Sequence, residues 1–498
     1  MIPRMKILPK HLYSADQVRE FDRIAIEEHN IPGYQLMQQA GAVAYQSLEK
    51  HWPQAEKILV VCGPGNNGGD GYVIARLCHE SGLAVEVVSL TDAALLKGDA
   101  KTAFDDAVAA GVSVNAFAED TDYDQYDVII DALFGTGLRS ELEGDAKLCV
   151  EKINAASIGV LAIDIPSGLL ADTGMPLGSA VEADVTTTFI GLKQGLFTGL
   201  AVDYCGEVEF SDLDVPAAVY QSKEAAKRYA GDDVSTLLVP RKRSTHKGQC
   251  GHVLAVGGRE GYVGAIRMAG EAAARVGAGL VSVAGLYKYA ALIAFERPEI
   301  MAFTLDKASV LVPLTQKADI FLIGPGMGTD GVSVDLWHRL SSWDTPMVID
   351  ADGLNLLAEN FVNKDNWILT PHPGEAARLL EISTTEVQTN RFDAVKTLQK
   401  RYGGVVVLKG AGTLVCDQQG DVSVINVGNP GMASGGMGDV LAGVITGLAV
   451  QGLSLIDAAR AGVWLHGTAA DQAVATMGER GLLATDLLPH LRRLVNPN

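Results

Sequence analysis

A glycine-rich loop that runs directly into an apolar helix is the part of this sequence best suited to chemistry. It reads NPGMASGGMGDVLAG over residues 429–443. The backbone N–H groups of such a loop, together with the positive end of the helix dipole, bind phosphate or another anion. Asp439 stands at the join, where its carboxylate could take the proton of a substrate hydroxyl beside that anion. The alternative is an ordinary glycine-rich helix start, in which Asp439 is only a first-turn charge.

A second glycine-rich turn follows an apolar run in the first half of the chain. The run KILVVC (57–62) leads into GPGNNGGDG (63–71), and a helical stretch comes next. The glycine spacing satisfies the GxGxxG pattern of dinucleotide-binding turns, which is weak evidence when it stands alone. Asn66, Asn67 and Asp70 strengthen it, because an ordinary dinucleotide-binding turn does not need these polar groups. The turn therefore indicates a ligand site with additional polar contacts.

Polar side chains also follow two further apolar runs in this half. Asp131 belongs to DVIIDAL, and Asp164 belongs to GVLAIDI with Ser167 shortly after it. Ligands of open parallel sheets bind at the carboxyl ends of the strands, so these side chains and Asn67 are expected at one edge. Oxygen ligands of this kind suit a hard cation, and their low charge makes a monovalent ion conceivable. Alternatively, each aspartate only caps the turn after its strand.

The elements that must hold these residues alternate between strand and helix along the chain. A capping box at Ser14 predicts an opening helix, and short apolar runs bounded by turns predict buried parallel strands. The alternation indicates an α/β fold with a Rossmann-like doubly wound sheet in the first domain. The predicted strands are KILVVC (57–62), AVEVVSL (84–90), DVIIDAL (127–133), GVLAIDI (159–165), HVLAVGG (252–258), LVSVAG (280–285), DIFLIGPG (319–326), MVIDADG (347–353), WILTPH (367–372) and VVVLKG (405–410).

The alternation breaks between about residues 215 and 247, where charged and polar segments replace the apolar runs. We therefore predict two domains, residues 1–225 and 226–498. A chain of 498 residues is long enough for both.

Composition narrows the classes of protein that this chain could be. Sixty acidic residues against 40 basic ones give a net charge of −20, which repels nucleic acid and anionic membranes. The six cysteines are scattered without metal-ligand spacing, and no apolar stretch has the length of a signal peptide core or a membrane span. A cytoplasmic protein is the simplest interpretation.

Three motifs in a fixed order, GPGNNGGDG, DALFGTG and DIPSGL, make residues 10–215 resemble the NAD(P)HX epimerase domain. The resemblance implies that the substrate is a hydrated nicotinamide dinucleotide and that Asn67, Asp131 and Ser167 bind a potassium ion. Some relatives place a lysine where Arg139 falls, so Arg139 is given no catalytic role. The substrate-binding residues that the resemblance implies are Asn66, Asn67, Gly68, Gly69, Asp70, Gly135, Thr136, Gly137, Leu138, Arg139, Ser140, Glu141 and Asp164.

The chemistry of that substrate is consistent with these residues. Carbon 6 of the reduced ring bears a hydroxyl group beside the ring nitrogen. A group that helps this hydroxyl to leave, or that assists ring opening, produces a planar centre that can be rebuilt from either face. Asp164 is the candidate acid–base residue for this step.

A longer ordered set of motifs in the second half includes GPGMG, DADGLNLL, TPHPGEAARLL, LKGAGTLV and the 429–443 loop. The set resembles the ADP/ATP-dependent NAD(P)HX dehydratase domain of the ribokinase-like superfamily, an α/β/α fold, over residues 230–498. His372 could instead only stabilise a turn, and residues 246–248 could be a solvated linker. The resemblance implies a nucleotide bound by Lys409, Gly410, Ala411, Gly412, Thr413 and Gly438, and a hydrated dinucleotide bound by Ala265, Gly326, His372 and Asp439.

A kinase-like site can also carry out a dehydration. Hydroxide is a poor leaving group, whereas a phosphate ester leaves readily. Asp439 would deprotonate the carbon-6 hydroxyl while the anion site stabilises the transferred phosphoryl group. Phosphate then departs, and the products are NAD(P)H, AMP and phosphate. Mg²⁺ is the expected charge neutraliser, although the sequence contains no dedicated acidic cage for it.

Together the two halves predict a bifunctional repair enzyme that epimerises the R and S forms of NADHX or NADPHX and dehydrates the S form. The fusion suggests ADP rather than ATP as co-substrate. Its expected partners are these small molecules, with no nucleic acid and no membrane, and the resemblance implies a homo-oligomer, a tetramer or larger. Two other functions stay open at this point: a small-molecule kinase, and a non-catalytic nucleotide-binding regulator.

Overall fold

The computed structural model of the chain describes residues 5–222, 224–286, 290–305 and 308–496. It divides into two compact units, Met1–Lys227 and Arg228–Asn498. Across the described ranges, no helix combines the length and the apolar character needed to span a membrane.

The first unit is built on a parallel sheet with strand order β4-β3-β2-β5-β6-β7-β8. A short antiparallel pair, β1 with β9, lies outside this sheet. The strands are β1 (His11–Leu12), β2 (Lys57–Cys62), β3 (Ala84–Ser89), β4 (Ser113–Ala116), β5 (Val128–Ala132), β6 (Gly159–Ile163), β7 (Val185–Phe189), β8 (Glu207–Ser211) and β9 (Ala226–Arg228). The helices are α1 (Ala15–Glu27), α2 (Gly33–His51), α3 (Asn66–Glu80), α4 (Gly98–Ala109), α5 (Gly144–Ala155) and α6 (Ala201–Tyr204).

Helices cover both faces of this sheet, as expected for a doubly wound fold. Alternate residues of β2 separate into two cores. Ile58 and Val60 pack with residues of α1 to α4, whereas Leu59 and Val61 pack with residues of α5. Burial on both faces explains why the strand sequences are continuously apolar. The capping box at Ser14 is confirmed at the start of α1.

The sheet strands of the second unit follow the order β18-β17-β16-β15-β14-β13-β10-β11-β12. They are β10 (His252–Gly257), β11 (Leu280–Leu286), β12 (Met301–Leu305), β13 (Ile320–Ile323), β14 (Met347–Ile349), β15 (Trp367–Leu369), β16 (Val405–Leu408), β17 (Thr413–Cys416) and β18 (Val422–Ile425). The helices are α7 (Gly231–Leu237), α8 (Val263–Arg275), α9 (Ala290–Glu296), α10 (Ala308–Thr315), α11 (Gly331–Ser341), α12 (Asp352–Glu359), α13 (Pro373–Leu380), α14 (Thr384–Thr389), α15 (Arg391–Tyr402), α16 (Met437–Ala449), α17 (Leu455–Met477) and α18 (Leu487–Leu494).

Every apolar run predicted as a strand contains one, and most runs extend beyond it. In the second unit the extra residues lie at the carboxyl edge of the sheet, where they form loops or, as at the end of MVIDADG, begin the next helix. Strands β17 and β18 are not among the predicted runs; β17 pairs antiparallel with β16, and β18 pairs antiparallel with β17. Antiparallel neighbours can be joined by a short turn, so no helical stretch separates these strands. The strand–helix alternation that predicted the parallel strands is therefore absent here.

The side chains of residues 246–248 are exposed, whereas the backbone of this segment lies against the second unit. Lys247–Gln249 forms a 3-10 turn, and a Cβ built on Gly279 would overlap the carbonyl oxygen of Lys247. Nearby, the Arg241 guanidinium donates to the carbonyl oxygen of Gly277 at 2.5 Å, next to the end of α8. The backbone of this segment therefore belongs to the second unit.

Gly63 occupies a position where a side chain cannot fit. A Cβ built there would overlap the carbonyl oxygen of Leu133, whereas a Cβ on Gly65 has no atom within 4 Å. We expect Gly63→Ala to destabilise the first unit by about 3 kcal/mol, since backbone atoms must move. Gly65→Ala should cost at most about 1 kcal/mol at its helix-capping position. Scanning calorimetry of both variants checks this, and equal transition temperatures would contradict it.

Candidate active sites

A cavity of about 700 Å³ opens at the carboxyl edge of the first sheet. The loops after β2, β5, β6 and β7 line it together with α1. The structure brings most of the predicted substrate-binding residues to this cavity, namely Asn66, Asn67, Asp70, Gly135, Thr136, Gly137, Leu138, Arg139, Ser140 and Asp164.

Three predicted residues, Gly68, Gly69 and Glu141, are not among the lining residues. A Cβ on Gly68 would overlap the carbonyl oxygen of Gly63, and one on Gly69 would lie 2.5 Å from Met37 Cε. These two glycines permit close packing of α3. Their contact with substrate stays a prediction.

A buried ion pair stands at the wall of this cavity. Lys193 is only 1% exposed, and its ammonium group pairs with the Asp164 carboxylate. The same Nζ donates to Thr188 Oγ1 at 2.8 Å and to the carbonyl oxygen of Phe189 at 3.2 Å. Asp164 has a left-handed backbone with φ of 68°, a conformation that aspartate and asparagine tolerate better than most residues. The carboxylate is therefore held in one position.

Two further carboxyl groups face the cavity from helices. Burial, together with the charge of Asp164, raises the pKa of Asp22 to about 6, against the opposing influence of Lys193. Burial raises the pKa of Asp70 well above its usual value, and the charges of Asp164 and Asp22 raise it further. The cavity wall thus combines an ion-paired carboxylate with carboxyl groups that retain protons more readily.

The predicted cation ligands surround one loop. Asp131 accepts hydrogen bonds from the hydroxyl of Ser167 at 2.6 Å and from its backbone N–H at 2.8 Å. Burial raises the pKa of Asp131 to about 6, while the bonds from Ser167 lower it. The Ser167 hydroxyl also accepts from the N–H of Phe134 at 2.8 Å, and a Cβ on the next residue, Gly135, would lie 3.5 Å from Asn67 Cβ. The three ligands therefore meet at the 134–135 turn.

Asn67 strengthens the case for a bound cation. Within the described residues, neither atom of its buried side-chain amide has a hydrogen-bond partner. An unpaired buried amide is costly, so it indicates an unseen partner. Amide, carboxylate and hydroxyl oxygens together fit a hard monovalent cation.

The second unit gathers charged groups from four elements around Lys409. Lys409 Nζ lies 2.8 Å from Asp350 Oδ1 and 3.7 Å from Glu375 Oε2. Thr370 Oγ1 donates to the same Asp350 oxygen at 2.8 Å. A Cβ on Gly438 would lie 3.3 Å from Lys409 Nζ, which places the start of α16 against the cluster. Lys409 and the glycine-rich loop therefore face one site.

Asp439 completes this cluster in the first turn of α16. Burial and the charge of Asp350 raise the pKa of Asp439 to about 7, against the influence of Lys409. Burial alone would lower the pKa of Lys409, but Asp350 and Glu375 raise it above its usual value. Asp439 can therefore gain and lose a proton near neutral pH, whereas Lys409 stays charged.

Gly326 and Ala265, both predicted to contact the dinucleotide, lie side by side. A Cβ on Gly326 would be 3.4 Å from Ala265 Cβ, and Gly326 has a left-handed φ of 60°. The same loop reaches the Asp350 strand end, because the N–H of Gly328 donates to Asp352 Oδ2 at 2.7 Å. This loop and the charged cluster therefore border the same region.

His372 has the turn-stabilising role that the sequence left open. Its Nδ1 accepts from the N–H groups of Gly374 and Glu375 at 3.0 and 3.4 Å and caps α13. The other ring nitrogen of His372 lies 3.5 Å from Glu375 Oε1, and the His372 side chain is 56% exposed. Contact between that exposed edge and a substrate stays a prediction.

Arg391 contacts the start of the predicted nucleotide-binding loop, residues 409–413. This arginine is 1% exposed and donates to the carbonyl oxygens of Leu408 and Lys409, each at 3.3 Å. A Cβ on Gly410 would lie 2.9 Å from its guanidinium, so glycine is required there. Burial lowers the pKa of Arg391 to about 10.

Sequence reasoning missed four groups at these two sites. Asp350 and Glu375 lie in quoted motifs, and the strand-end rule applied to Asp131 would also have selected Asp350. Lys193 follows β7, a strand that the sequence analysis did not identify, and Asp22 lies on an apparently ordinary amphipathic helix. Arg139 is 77% exposed and lies 3.7 Å from Asp16, which is consistent with giving it no catalytic role.

Family models match each unit. Residues 33–195 match the model described as YjeF-related protein N-terminus, and residues 253–493 match the model described as NAD(P)H-hydrate dehydratase. In the structural comparison, a ribokinase-like superfamily protein from Enterococcus faecalis is 27% identical with a TM-score of 0.51, over 54% of this chain and 94% of that one.

Curated relatives extend over nearly the whole chain. The bifunctional NAD(P)H-hydrate repair enzyme Nnr of Coxiella burnetii is 47% identical over 487 residues, which cover 98% of this chain and 99% of the relative. The protein of the same name from Escherichia coli is 42% identical over 490 residues, 98% of this chain and 95% of the relative. Both sites described above therefore fall within the aligned length.

Proposed function

The chain belongs to the family of bifunctional NAD(P)H-hydrate repair enzymes, and from this premise we propose which residues perform its two reactions. It is an epimerase of hydrated NAD(P)H and an ADP-dependent dehydratase of the same compound. This membership replaces the kinase and the non-catalytic regulator that the sequence had left open.

The epimerase reaction belongs to the cavity of the first unit. When the carbon-6 hydroxyl leaves, the ring nitrogen shares a positive charge with carbon 6. The Asp164 carboxylate, fixed by Lys193, stabilises that charge. The 66–70 turn and the 135–140 loop hold the rest of the dinucleotide, because both line the same cavity.

A potassium ion would be held by Asn67, Asp131 and Ser167. The ion supplies positive charge that compensates the buried Asp131 carboxylate and orders the 134–135 turn. The unpaired amide of Asn67 is the observation that supports this assignment. Asn67 and Gly135 also line the cavity, so the ion would shape the substrate site without reacting itself.

Potassium should therefore stabilise the first unit. At a concentration one hundred times its Kd, a ligand bound only to the folded state contributes about 2.7 kcal/mol. Replacing K⁺ by tetramethylammonium should lower the first unit's unfolding temperature, and Asn67→Ala should remove that response. Asn66→Ala, a neighbour at the cavity, should keep it. Scanning calorimetry in the two salts decides the matter, and identical transitions in wild-type protein would contradict the site.

The dehydratase reaction belongs to the cluster around Lys409. The convergence of Lys409, Asp350 and Asp439 at the start of α16 is the single observation that carries this assignment. Asp439 accepts the proton of the carbon-6 hydroxyl as that oxygen attacks the transferred phosphoryl group. Lys409 and the N–H groups of the glycine-rich loop stabilise the phosphoryl charge.

The nucleotide would be ADP, held by residues 409–413 and Gly438. Ala265, Gly326 and His372 would contact the hydrated dinucleotide. Asp350 and Glu375 would hold Mg²⁺. Together with Asp439 they place three carboxyl groups around one ammonium group, that of Lys409, and a divalent cation would balance the excess negative charge. The ion neutralises phosphate charge during transfer.

We further propose that the enzyme is a cytoplasmic homo-oligomer, a tetramer or larger. Light scattering coupled to size-exclusion chromatography measures the mass of the assembly, and a monomer at micromolar concentration would contradict this proposal.

The direct test of the assigned function is near-ultraviolet absorbance with a mixture of both NADHX epimers. Full recovery of the reduced-nicotinamide band with ADP, and none without nucleotide, is the expected result. Recovery that stalls would contradict an active epimerase. No recovery with ADP would contradict an active dehydratase.

A further inference from the structure

The departure of the carbon-6 hydroxyl as water needs a proton, and Asp164 is poorly placed to give one. Its carboxylate is ion-paired to Lys193 and also accepts a hydrogen bond from Thr188 Oγ1 at 3.3 Å. That carboxylate is therefore already engaged with two partners. The proton must therefore come from another group that faces the same cavity.

Asp22 is such a group. It lies on α1, half-buried, and it lines the cavity together with Asp164 and Lys193. In the part of the chain that the structure describes, its carboxyl group has no hydrogen-bond or ion-pair partner, in contrast to Asp164. A half-buried carboxyl group without a partner favours its neutral, protonated form.

The surrounding charges reinforce that preference. Of the four carboxyl groups that line the cavity, those of Asp22, Asp70 and Asp164 influence one another and share one buried ammonium group, so simultaneous ionisation of these three is unfavourable. The titratable or charged groups that face Asp22 or line the cavity beside it are Asp164 and Lys193 at the sheet edge, Asp70 on α3, Tyr220, Arg19 on α1, Asp99 on α4 and Arg139.

We propose that Asp22 is the proton donor of the epimerase half. This inference rests on the proposed role of Asp164. The carbon–oxygen bond at carbon 6 breaks with its electron pair going to oxygen, which takes the Asp22 proton and leaves as water. The ring-nitrogen lone pair forms the new bond to carbon 6. Water then adds to the opposite face, and its excess proton returns to Asp22, so no other reactant is consumed.

Asp22 suits this role better than Asp70. A donor that works in both directions must lose and regain its proton near the operating pH. The pKa of Asp22, raised to about 6 by burial, allows that exchange, whereas burial raises the pKa of Asp70 well above its usual value.

The test is the pH dependence of epimerisation, followed by proton NMR of the two NADHX epimers without nucleotide. A donor must be protonated, so wild-type kcat/KM should fall with rising pH above about 6. Asp22→Asn should lower the rate about 100-fold and remove that descending limb. Asp22→Glu should retain the limb at a shifted pH, which a merely structural role would not produce.

Glu27→Gln is the matched control, because it is an acid-to-amide change at an exposed position of the same helix. It should keep the wild-type rate and profile. Dehydration of the S epimer with ADP should be unchanged in all three variants, which shows that the second unit is unaffected. If Asp22→Asn proves unfolded, the pH profiles of the wild-type protein and of Asp22→Glu still test the inference.

An Asp22→Asn variant with the wild-type profile overturns the inference while leaving Asp164 in its role. If Asp70→Asn loses the fall in kcat/KM at high pH and Asp22→Asn keeps it, the inference is also overturned, and Asp70 is the donor. Normal epimerisation by Asp164→Asn would instead contradict the proposed function of this site, whatever Asp22 does.

Discussion

Asp439→Asn is expected to lower the dehydration rate about a thousandfold while epimerisation continues at the wild-type rate. The amide keeps the shape of the side chain but cannot accept the proton of the carbon-6 hydroxyl. Because Asp439 lies in the second unit, the cavity of the first unit is untouched. The measurement is recovery of the reduced-nicotinamide band with ADP, alongside NMR of the two epimers.

Asp457→Asn is the matched control, since Asp457 is also a first-turn aspartate, on α17. If Asp439 were only a helix-start charge, both variants would lose about 0.5 kcal/mol of stability and neither would lose activity. Equal activities of the two variants would therefore contradict the assignment of Asp439 as base.

The pH dependence of dehydration gives a second check on Asp439. Burial and the charge of Asp350 raise the pKa of Asp439 to about 7. A base must be deprotonated, so kcat/KM should fall about tenfold for each pH unit below that value. The direction is opposite to that expected of the epimerase, so the two activities separate in one pH series.

Asp164→Asn should abolish epimerisation and spare dehydration of the preferred epimer. Asparagine tolerates the left-handed backbone at this position, so the substitution removes the charge without adding backbone strain. With a mixture of epimers, the absorbance should first recover in proportion to the amount of the preferred epimer. It should then rise slowly, at the rate at which the two epimers interconvert spontaneously. Full, rapid recovery would contradict the role of Asp164.

Lys193→Met tests whether the ion pair acts as a unit. Removing the ammonium group leaves the Asp164 carboxylate without its partner, so epimerisation should fall about 100-fold. The double variant Asp164→Asn/Lys193→Met should be no slower than Asp164→Asn alone, because both changes disable one pair. Additive losses would mean that Lys193 acts separately.

Ten of the strands that the structure describes could be predicted from the sequence because their chemistry is local. Runs such as KILVVC and GVLAIDI are continuously apolar since both faces of the sheet are covered, and the alternation with helical stretches indicates parallel order. The antiparallel strands β17 and β18 escaped notice, because a hairpin lacks that alternation. Several strands end earlier than predicted, because the last residues of the predicted runs are polar and belong to the following loop or helix.

The residues at the carboxyl ends of strands and at the glycine-rich helix start could be recognised before the structure was known. Asn67, Asp131, Asp164 and Asp439 are recognisable because a parallel sheet delivers such positions to one edge whatever the details of packing. Local spacing was enough to place them, and the order of the motifs was enough to identify both halves.

Only the tertiary structure decided which of these groups are paired and which stand alone. Lys193 meets Asp164 across 29 residues of sequence, and Lys409 meets Asp350 across 59. Burial and ion pairing set the charge of a carboxyl group, and both depend on neighbours from other elements. For this reason the raised pKa values of Asp22 and Asp439 depend on the tertiary structure.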